Sequence, residues 1–230
     1  MRSLGVIPAR GGSKGIPRKN VRELCGKPLI QYTIDVARAS NLTHVVVSSE
    51  DEEVCRVARQ CGCDVVERPP ELAADDTPTL PVLQHALRAQ GENFDCVVTL
   101  QPTSPLRQTR HINESLELFD RQPHADSLVS VVRVPHNMCP ESLMKSDGDA
   151  IVPYLNQVGA LRRQDKVQNL YARNGAAVYI TRVSRITDYI FGGRIIPYVM
   201  PTSLSFDIDD ESDWQLAEVL MPHALSGSLQ

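Results

Sequence analysis

The sequence predicts an α/β fold, an open and mostly parallel sheet with helices on both faces and one small insert. Two observations predict it. Short β-branched runs alternate with segments of helical periodicity from the first residues to about position 134, which is repeated βα. The run His44–Ser49 is apolar or small at successive positions, the mark of a strand buried on both faces of a parallel sheet. Right-handed crossovers turn such a chain into an open sheet.

Each element has its own signal. Leu4–Ile7 reads as the first strand, and Pro28–Ala39 as a helix with apolar residues at Leu29, Ile30, Ile34 and Ala37. Asp51–Cys61 reads as a helix with acids in its first turn, where the helix dipole favours them. Asp64–Glu67 is a short strand. Thr79–Ala89 is helical, Pro81 being tolerated in the first turn. Asp95–Leu100 is a strand, Thr109–Phe119 a helix and Ser127–Val134 a strand. The rhythm breaks after Pro135. The stretch 136–170 is polar and Gly/Pro-punctuated, with Ala150–Leu155 as a short β candidate. Strand signals return at Ala176–Thr181 and Ile195–Met200, followed by a helix at Glu211–Leu220. The expected organisation is therefore a core of 1–134 and 171–221, an insert at 135–170 and a loosely ordered tail at 222–230.

Composition narrows the function. The chain of 230 residues is 42% hydrophobic and 23% charged, enough to bury a full core. Its net charge of −4 argues against a nucleic-acid binder, which would spread cations over a whole face. Met1-Arg2 leads directly into the first strand, so no signal segment is expected, and no apolar run approaches the ~20 residues needed to span a bilayer. Six scattered cysteines, with Cys61-Gly62-Cys63 as the one close pair, lack the second pair or His-x-His of a zinc site. They read as reduced thiols, and a cytoplasmic location is expected. No histidine is paired with a plausible nucleophile.

The most informative stretch is Ile7-Pro8-Ala9-Arg10-Gly11-Gly12-Ser13-Lys14-Gly15-Ile16-Pro17-Arg18-Lys19-Asn20. It follows the first strand and carries cations with no acid before Glu23. Glycines admit close backbone approach and the cations supply charge for phosphate oxygens. Pro8 and Pro17 stiffen both ends, which a merely solvated loop does not require. The spacing fits neither a Walker loop nor the Gly-x-Gly-x-x-Gly dinucleotide fingerprint. A local basic cluster on a mildly acidic protein points to a small polyanionic ligand, a nucleoside triphosphate.

In an open parallel sheet, ligands lie outside the carboxyl ends of the strands. That edge receives Arg68-Pro69-Pro70-Glu71-Leu72 and Gln101-Pro102-Thr103-Ser104-Pro105-Leu106-Arg107, which together place Arg68, Gln101 and Arg107 there. Near the C-terminus, Asp207 and Asp209 alternate in Phe206-Asp207-Ile208-Asp209-Asp210, so their carboxylates project to one side while Ile208 faces the core. Mg²⁺ held by one or two carboxylates plus substrate phosphates suits that pattern, with Asp210 left to cap the last helix. A third cluster, Arg162-Arg163-Gln164-Asp165 with Tyr171-Ala172-Arg173-Asn174-Gly175-Ala176, reads either as ligand-binding arginines or as a surface near a subunit contact.

These motifs in this order resemble the acylneuraminate cytidylyltransferase family, over residues 3 to about 220. The resemblance implies a Rossmann-like sheet of the nucleotide-diphospho-sugar transferase type. It implies transfer of CMP from CTP to the anomeric C2 hydroxyl of a nine-carbon 2-keto-3-deoxy sugar acid, with release of pyrophosphate. Carried over to this sequence, Ala9, Arg10, Gly11, Gly12, Ser13 and Lys14 meet the nucleotide, with Lys19 and Asn20 close by, Arg68 at the cytosine and Thr79 near the nucleotide. Arg10, Lys14, Lys19, Asp207 and Asp209 carry the chemistry, and Asp207 and Asp209 take Mg²⁺. Gln101, Arg107, Arg163, Arg173 and Asn174 contact the sugar acid. The family is typically homodimeric, an insert like 135–170 forming the contact and placing residues such as Arg163 near the partner's sugar site. One departure from the pattern is Ala172-Arg173-Asn174-Gly175, where the arginine stands one residue before the asparagine instead of two, so either Arg173 or Arg163 is expected to take the sugar carboxylate. Two alternatives are a cytidylyltransferase for an eight-carbon sugar acid and a nucleotide-binding regulatory module without catalysis.

Overall fold

The structure, a computed structural model, describes residues 1–13, 15–74, 76–91, 93–155 and 170–229. Its first half follows the βα rhythm: β1 (Ser3–Pro8), α1 (Leu29–Arg38), β4 (His44–Ser49), α2 (Glu52–Gln60), β5 (Asp64–Glu67), α3 (Thr79–Gln90), β6 (Cys96–Thr99), α4 (Thr109–Asp120) and β7 (Ser127–Arg133). Between β1 and α1 sits a small hairpin, β2 (Glu23–Leu24) with β3 (Lys27–Pro28), closed by Cys25 and Gly26 at φ 48° and 82°. A tight turn with both central residues left-handed matches the twist of its strands. The insert contains a second hairpin, β8 (Met144–Asp147) with β9 (Ala150–Pro153). After it come β10 (Tyr171–Arg173), β11 (Tyr179–Arg182), β12 (Ile195–Val199) and α5 (Glu211–Leu225).

Eight strands form the main sheet among the described residues. β5, β4, β1 and β6 are parallel neighbours, β11 runs antiparallel between β6 and β7, and β12 runs parallel to β7. Val46 packs with Leu4, Val6, Leu83 and Ala86 on the α3 side, whereas Val47 joins Ile7, Ile34, Val57 and Phe119 on the side of α1, α2 and α4. Both faces are thus dry, which is why the strand carries the unbroken run Val45-Val46-Val47. A third cluster seats α5 through Trp214, Ala217 and Met221 against Ile16, Leu24 and Leu29, so the last helix packs on the segment that follows the first loop.

Three sequence expectations change. The strand expected at Ala176–Thr181 begins at Tyr179. β10 and β12 flank β7 on opposite sides, because Val131 pairs with both Arg173 and Val199. β10 and β11 therefore share one edge of β7, in registers that differ by four residues: Arg173 faces Val131 and Tyr179 faces Val129. Residues 174–178 are a bulge, anchored where Ser130 N–H donates to Val178 O and Ser130 Oγ accepts from Val178 N–H, both at 2.9 Å. The short β candidate at Ala150–Leu155 ends at Pro153. The tail expected to be loose from Pro222 is helical to Leu225, with Pro222 inside α5. Proline removes the N–H that would reach Glu218 O. That carbonyl accepts instead from the Cys25 thiol at 3.6 Å.

Candidate active site

The carboxyl ends of β1, β4, β5 and β6 lie on one edge of the sheet, and a cleft of about 350 Å³ opens there. Because β11 is antiparallel to β6, pairing Tyr179 with Thr99, the bulge before β11 arrives at the same edge. Gln101 N–H donates to Ala176 O at 3.0 Å, and Ile208 N–H donates to Thr103 O at 2.9 Å, so the bulge and the segment after β12 are both stitched to the turn after β6.

Of the residues singled out from sequence, the cleft is lined by Arg10, Gly12, Ser13, Lys19, Asn20, Arg68, Thr79, Gln101, Asp207 and Asp209. The first loop is shaped by its own contacts. Asn20 Nδ2 donates to Arg10 O at 2.9 Å, closing the loop across its base. Lys19 Nζ donates to Ile208 O at 2.7 Å, between the two aspartates, and the Cα of Gly15 lies against the backbone oxygen of Asp209 so closely that a Cβ has no room. The loop and the near-terminal acids are therefore one unit, although 189 positions separate Lys19 from Ile208. Ala9 and Gly11 stand behind the cleft wall, Ala9 N–H donating to Ser48 O and Gly11 N–H to Glu50 Oε1. Lys14 and Arg163 lie outside the described residues.

Asp207 and Asp209 face the cleft while Ile208 between them is fully buried. Burial pushes the Asp207 carboxyl above its ordinary range, and the charge of Asp209 adds to the push. Hydrogen bonds from Thr103 and Ser104 and the charge of Lys19 oppose it. The Lys19 ammonium is held below its ordinary value, chiefly by burial. Asp210 does not face the cleft. Its side chain accepts from Asp213 N–H and caps α5, and Asp213 reciprocates toward the backbone N–H of Asp210.

Arg107 is a correction. Expected to contact substrate, it is 2% exposed and points into the core. Its Nη1 donates to Ala177 O at 2.7 Å and Gln101 O at 3.2 Å, and Nη2 to Thr33 Oγ1 at 2.5 Å. It ties the bulge, the turn after β6 and α1 together from beneath. Asn174 is likewise turned away, 5% exposed, with Nδ2 donating to Ser205 Oγ at 2.9 Å. It is the next residue that meets the site: Gly175, at φ 69°, is where a Cβ would stand 2.5 Å from Asp207 Oδ2. Arg173 stays exposed beside the bulge with its guanidinium 4.9 Å from the Phe191 ring, outside the cleft lining.

Sequence reasoning missed Glu50. It follows β4 directly and accepts from both Gly11 and Arg68. Its neighbours Asp51 and Glu53 hold Arg18, at φ 56°, by ion pairs, the Asp51 bond being 2.7 Å. The acidic start of α2 reads from sequence as ordinary helix-dipole chemistry, and nothing in the spacing joins it to a loop some thirty residues earlier.

The cytidylyltransferase family model matches residues 4–215. N-acylneuraminate cytidylyltransferase B of Danio rerio is 37% identical over 93% of this chain and 50% of its own length. Post-translational flagellin modification protein B of Campylobacter coli is 30% identical over 95% of this chain and 94% of its own. The chain spans about half the length of the N-acylneuraminate cytidylyltransferases it matches. Among solved structures, CMP:2-keto-3-deoxy-manno-octonic acid synthetase complexed with CTP superposes with a TM-score of 0.72 at 16% identity, over 97% of this chain and 99% of that one, which shows a shared fold. With a family model covering nearly the whole core and relatives aligned over more than nine-tenths of the chain, this protein belongs to the cytidylyltransferase family.

Proposed function

We propose that the protein transfers CMP from CTP to the anomeric C2 hydroxyl of a nine-carbon 2-keto-3-deoxy sugar acid. The observation that carries this reading is the convergence of the glycine-rich cationic loop with Asp207 and Asp209 on one cleft. In-line attack of the hydroxyl on the α-phosphorus needs mainly positioning and charge stabilisation. Arg10, Lys19 and, from sequence, Lys14 balance the charge of the departing pyrophosphate, while Gly12 and Ser13 line the same wall. Arg68 and Thr79 hold the nucleoside, and Gln101 lies at the junction with the sugar. Arg173, or Arg163 of the insert, takes the sugar carboxylate.

The cleft suits a divalent cation. Two acidic side chains at alternate positions of one extended segment line it, and burial pushes the carboxyl of the half-buried one above its ordinary range, which suits Mg²⁺ sharing one or two carboxylates with substrate phosphates. Asp207 and Asp209 would hold it, and when bound it supplies Lewis acidity and charge neutralisation at the phosphates.

The same reading makes 135–170 a dimerisation insert. Leu143, Met144, Ile151 and Tyr154, on and beside the β8–β9 hairpin, are all exposed apolar residues. A homodimer in light scattering that becomes monomeric in Met144→Asp/Ile151→Asp supports it, and an unchanged wild-type monomer ends it. No described helix is long and apolar enough to cross a membrane. All six cysteines are free, which fits a cytoplasmic location. The decisive test of the activity is pyrophosphate release from CTP with a panel of nine- and eight-carbon ulosonates. Release with a nine-carbon acid and Mg²⁺ is the expected result. Preference for an eight-carbon acid, or no release with any, overturns the reading.

A further inference from the structure

A loop that offers bare N–H groups to phosphate needs a support behind it, and here the support is one carboxylate. Glu50 Oε1 accepts from Gly11 N–H at 2.8 Å, and its Oε2 accepts from Arg68 Nε at 3.0 Å and Nη2 at 2.9 Å. The Arg68 side chain is only 4% exposed and that of Glu50 18%, and Arg68 N–H donates to Ser49 O at 3.0 Å, so both ends of the pair are fixed. Glu50 occupies one edge of the guanidinium fork. The N–H groups of Nη1 and the second of Nη2 are those that Arg68 can bring to the cleft it lines.

We propose that Glu50 is a positioning residue: by fixing the Arg68 fork and the Gly11 amide in one geometry, it makes the cleft select cytosine over uracil. The proposal rests on the reading that the cleft binds CTP. Guanidinium is donor-only. Cytosine presents acceptors at both O2 and N3, whereas uracil carries a proton at N3. A fork that cannot turn meets uracil with donor against donor, which leaves buried groups unpaired and rejects it. Released from Glu50, the fork swings to a uracil carbonyl and the discrimination falls. A carboxylate that merely supported the turn between β4 and α2 would weaken both nucleotides alike.

Calorimetric binding of CTP and UTP to the full chain, without sugar acid, tests this in wild type, Glu50→Gln, Arg68→Met and the double variant. Glu50→Gln is expected to weaken CTP about tenfold, the scale of one charge-assisted hydrogen bond, with UTP changing less. In the Arg68→Met background Glu50→Gln is expected to leave the CTP-over-UTP ratio unchanged, since the discrimination runs through Arg68, while any loss through the Gly11 amide falls on both nucleotides alike. A CTP-over-UTP ratio unchanged by Glu50→Gln, or one that Glu50→Gln still lowers in the Arg68→Met background, overturns the proposal. Should Glu50→Gln fail to fold by circular dichroism, Glu50→Asp carries the same ratio test, because it keeps the charge but is one methylene too short to reach both partners. Wild type that prefers CTP yet releases no pyrophosphate sinks the proposed reaction and leaves this inference standing. Wild type binding both nucleotides equally does the reverse.

Discussion

The half of the sheet made of β5, β4, β1 and β6 and the half made of β11, β7, β10 and β12 reach the same cleft by opposite routes. In the first, the functional residues other than Thr79, which opens α3, leave the ends of parallel strands: the loop after β1, Glu50 after β4, Arg68 after β5 and Gln101 after β6. The geometry is local, because each turn inherits its place from the register of its own strand. In the second, the strand direction reverses at β11, and the site is supplied by a bulge before a strand and by an extended segment before a helix. The bulge precedes its strand, and the two aspartates stand well past the end of β12, so no strand end aims them directly. They are held by Arg107 from below, by Asn174 to Ser205, and by the backbone bonds of Gln101 and Ile208. Where topology aims a residue its support stands at the neighbouring strand end, as Glu50 after β4 holds Gly11 and Arg68, and where it does not, buried polar side chains reach in from distant elements.

Three substitutions would break or sharpen that contrast. The largest effect is expected from Asp209→Asn, which removes a carboxylate from the second half without touching the core. Turnover should fall by about a hundredfold or more, the scale of losing one electrostatic stabiliser, with an unchanged melting temperature. Near-normal pyrophosphate release in that variant would remove the acids from the reaction. Gly175→Ala comes next. Its Cβ would collide with the Asp207 carboxylate at a left-handed backbone position, so a loss of about 1–3 kcal/mol by urea titration is expected, together with weaker activity. An alanine variant as stable as wild type would show that the bulge is looser than its bonds imply.

Asp207→Asn is expected to shift stability less than Gly175→Ala does, and in the opposite sense. The folded protein holds the Asp207 proton above the ordinary value of 3.8. The group therefore contributes stability below its unfolded pKa, and that contribution is lost as pH rises through the folded one. At pH 7 its charge is a net cost. Asp207→Asn should melt about 2 °C higher than wild type at pH 7 without divalent ions, a difference that closes on acidification. Added Mg²⁺ should raise the melting point of the wild type alone. A variant less stable than wild type at neutral pH would refute the electrostatic account.

Much of the first half was legible in the sequence because its signals are short-range. Val45, Val46 and Val47 announce a doubly buried strand, and glycines among cations mark the loop that lines the cleft. The second half was legible only in part. Asn174-Gly175 marks a break in the chain, but nothing local says whether a bulge or a fresh strand follows, because the excess of four residues exists only relative to β7. Arg107 belongs to a polar proline-rich turn, which predicts exposure. Its burial depends on Thr33 and Ala177, at 74 and 70 positions' distance. Pro222 looks like a helix stop until the thiol of Cys25 is found at the orphaned carbonyl. In each case a distant partner overrode the local propensity.

The four-residue offset between β10 and β11 has a further meaning for how such a protein can vary. β10 pairs with β7 as soon as the chain returns from the insert, so any change of length between Val134 and Leu170 is absorbed before the backbone reaches Asn174. Lengthening a connection adds little free energy, and here it also transmits no shift to Gly175 or Asp207. The insert is free to be rebuilt while the edge that carries the cleft keeps its alignment, much as a fitting can be changed below a clamp without disturbing what hangs above it.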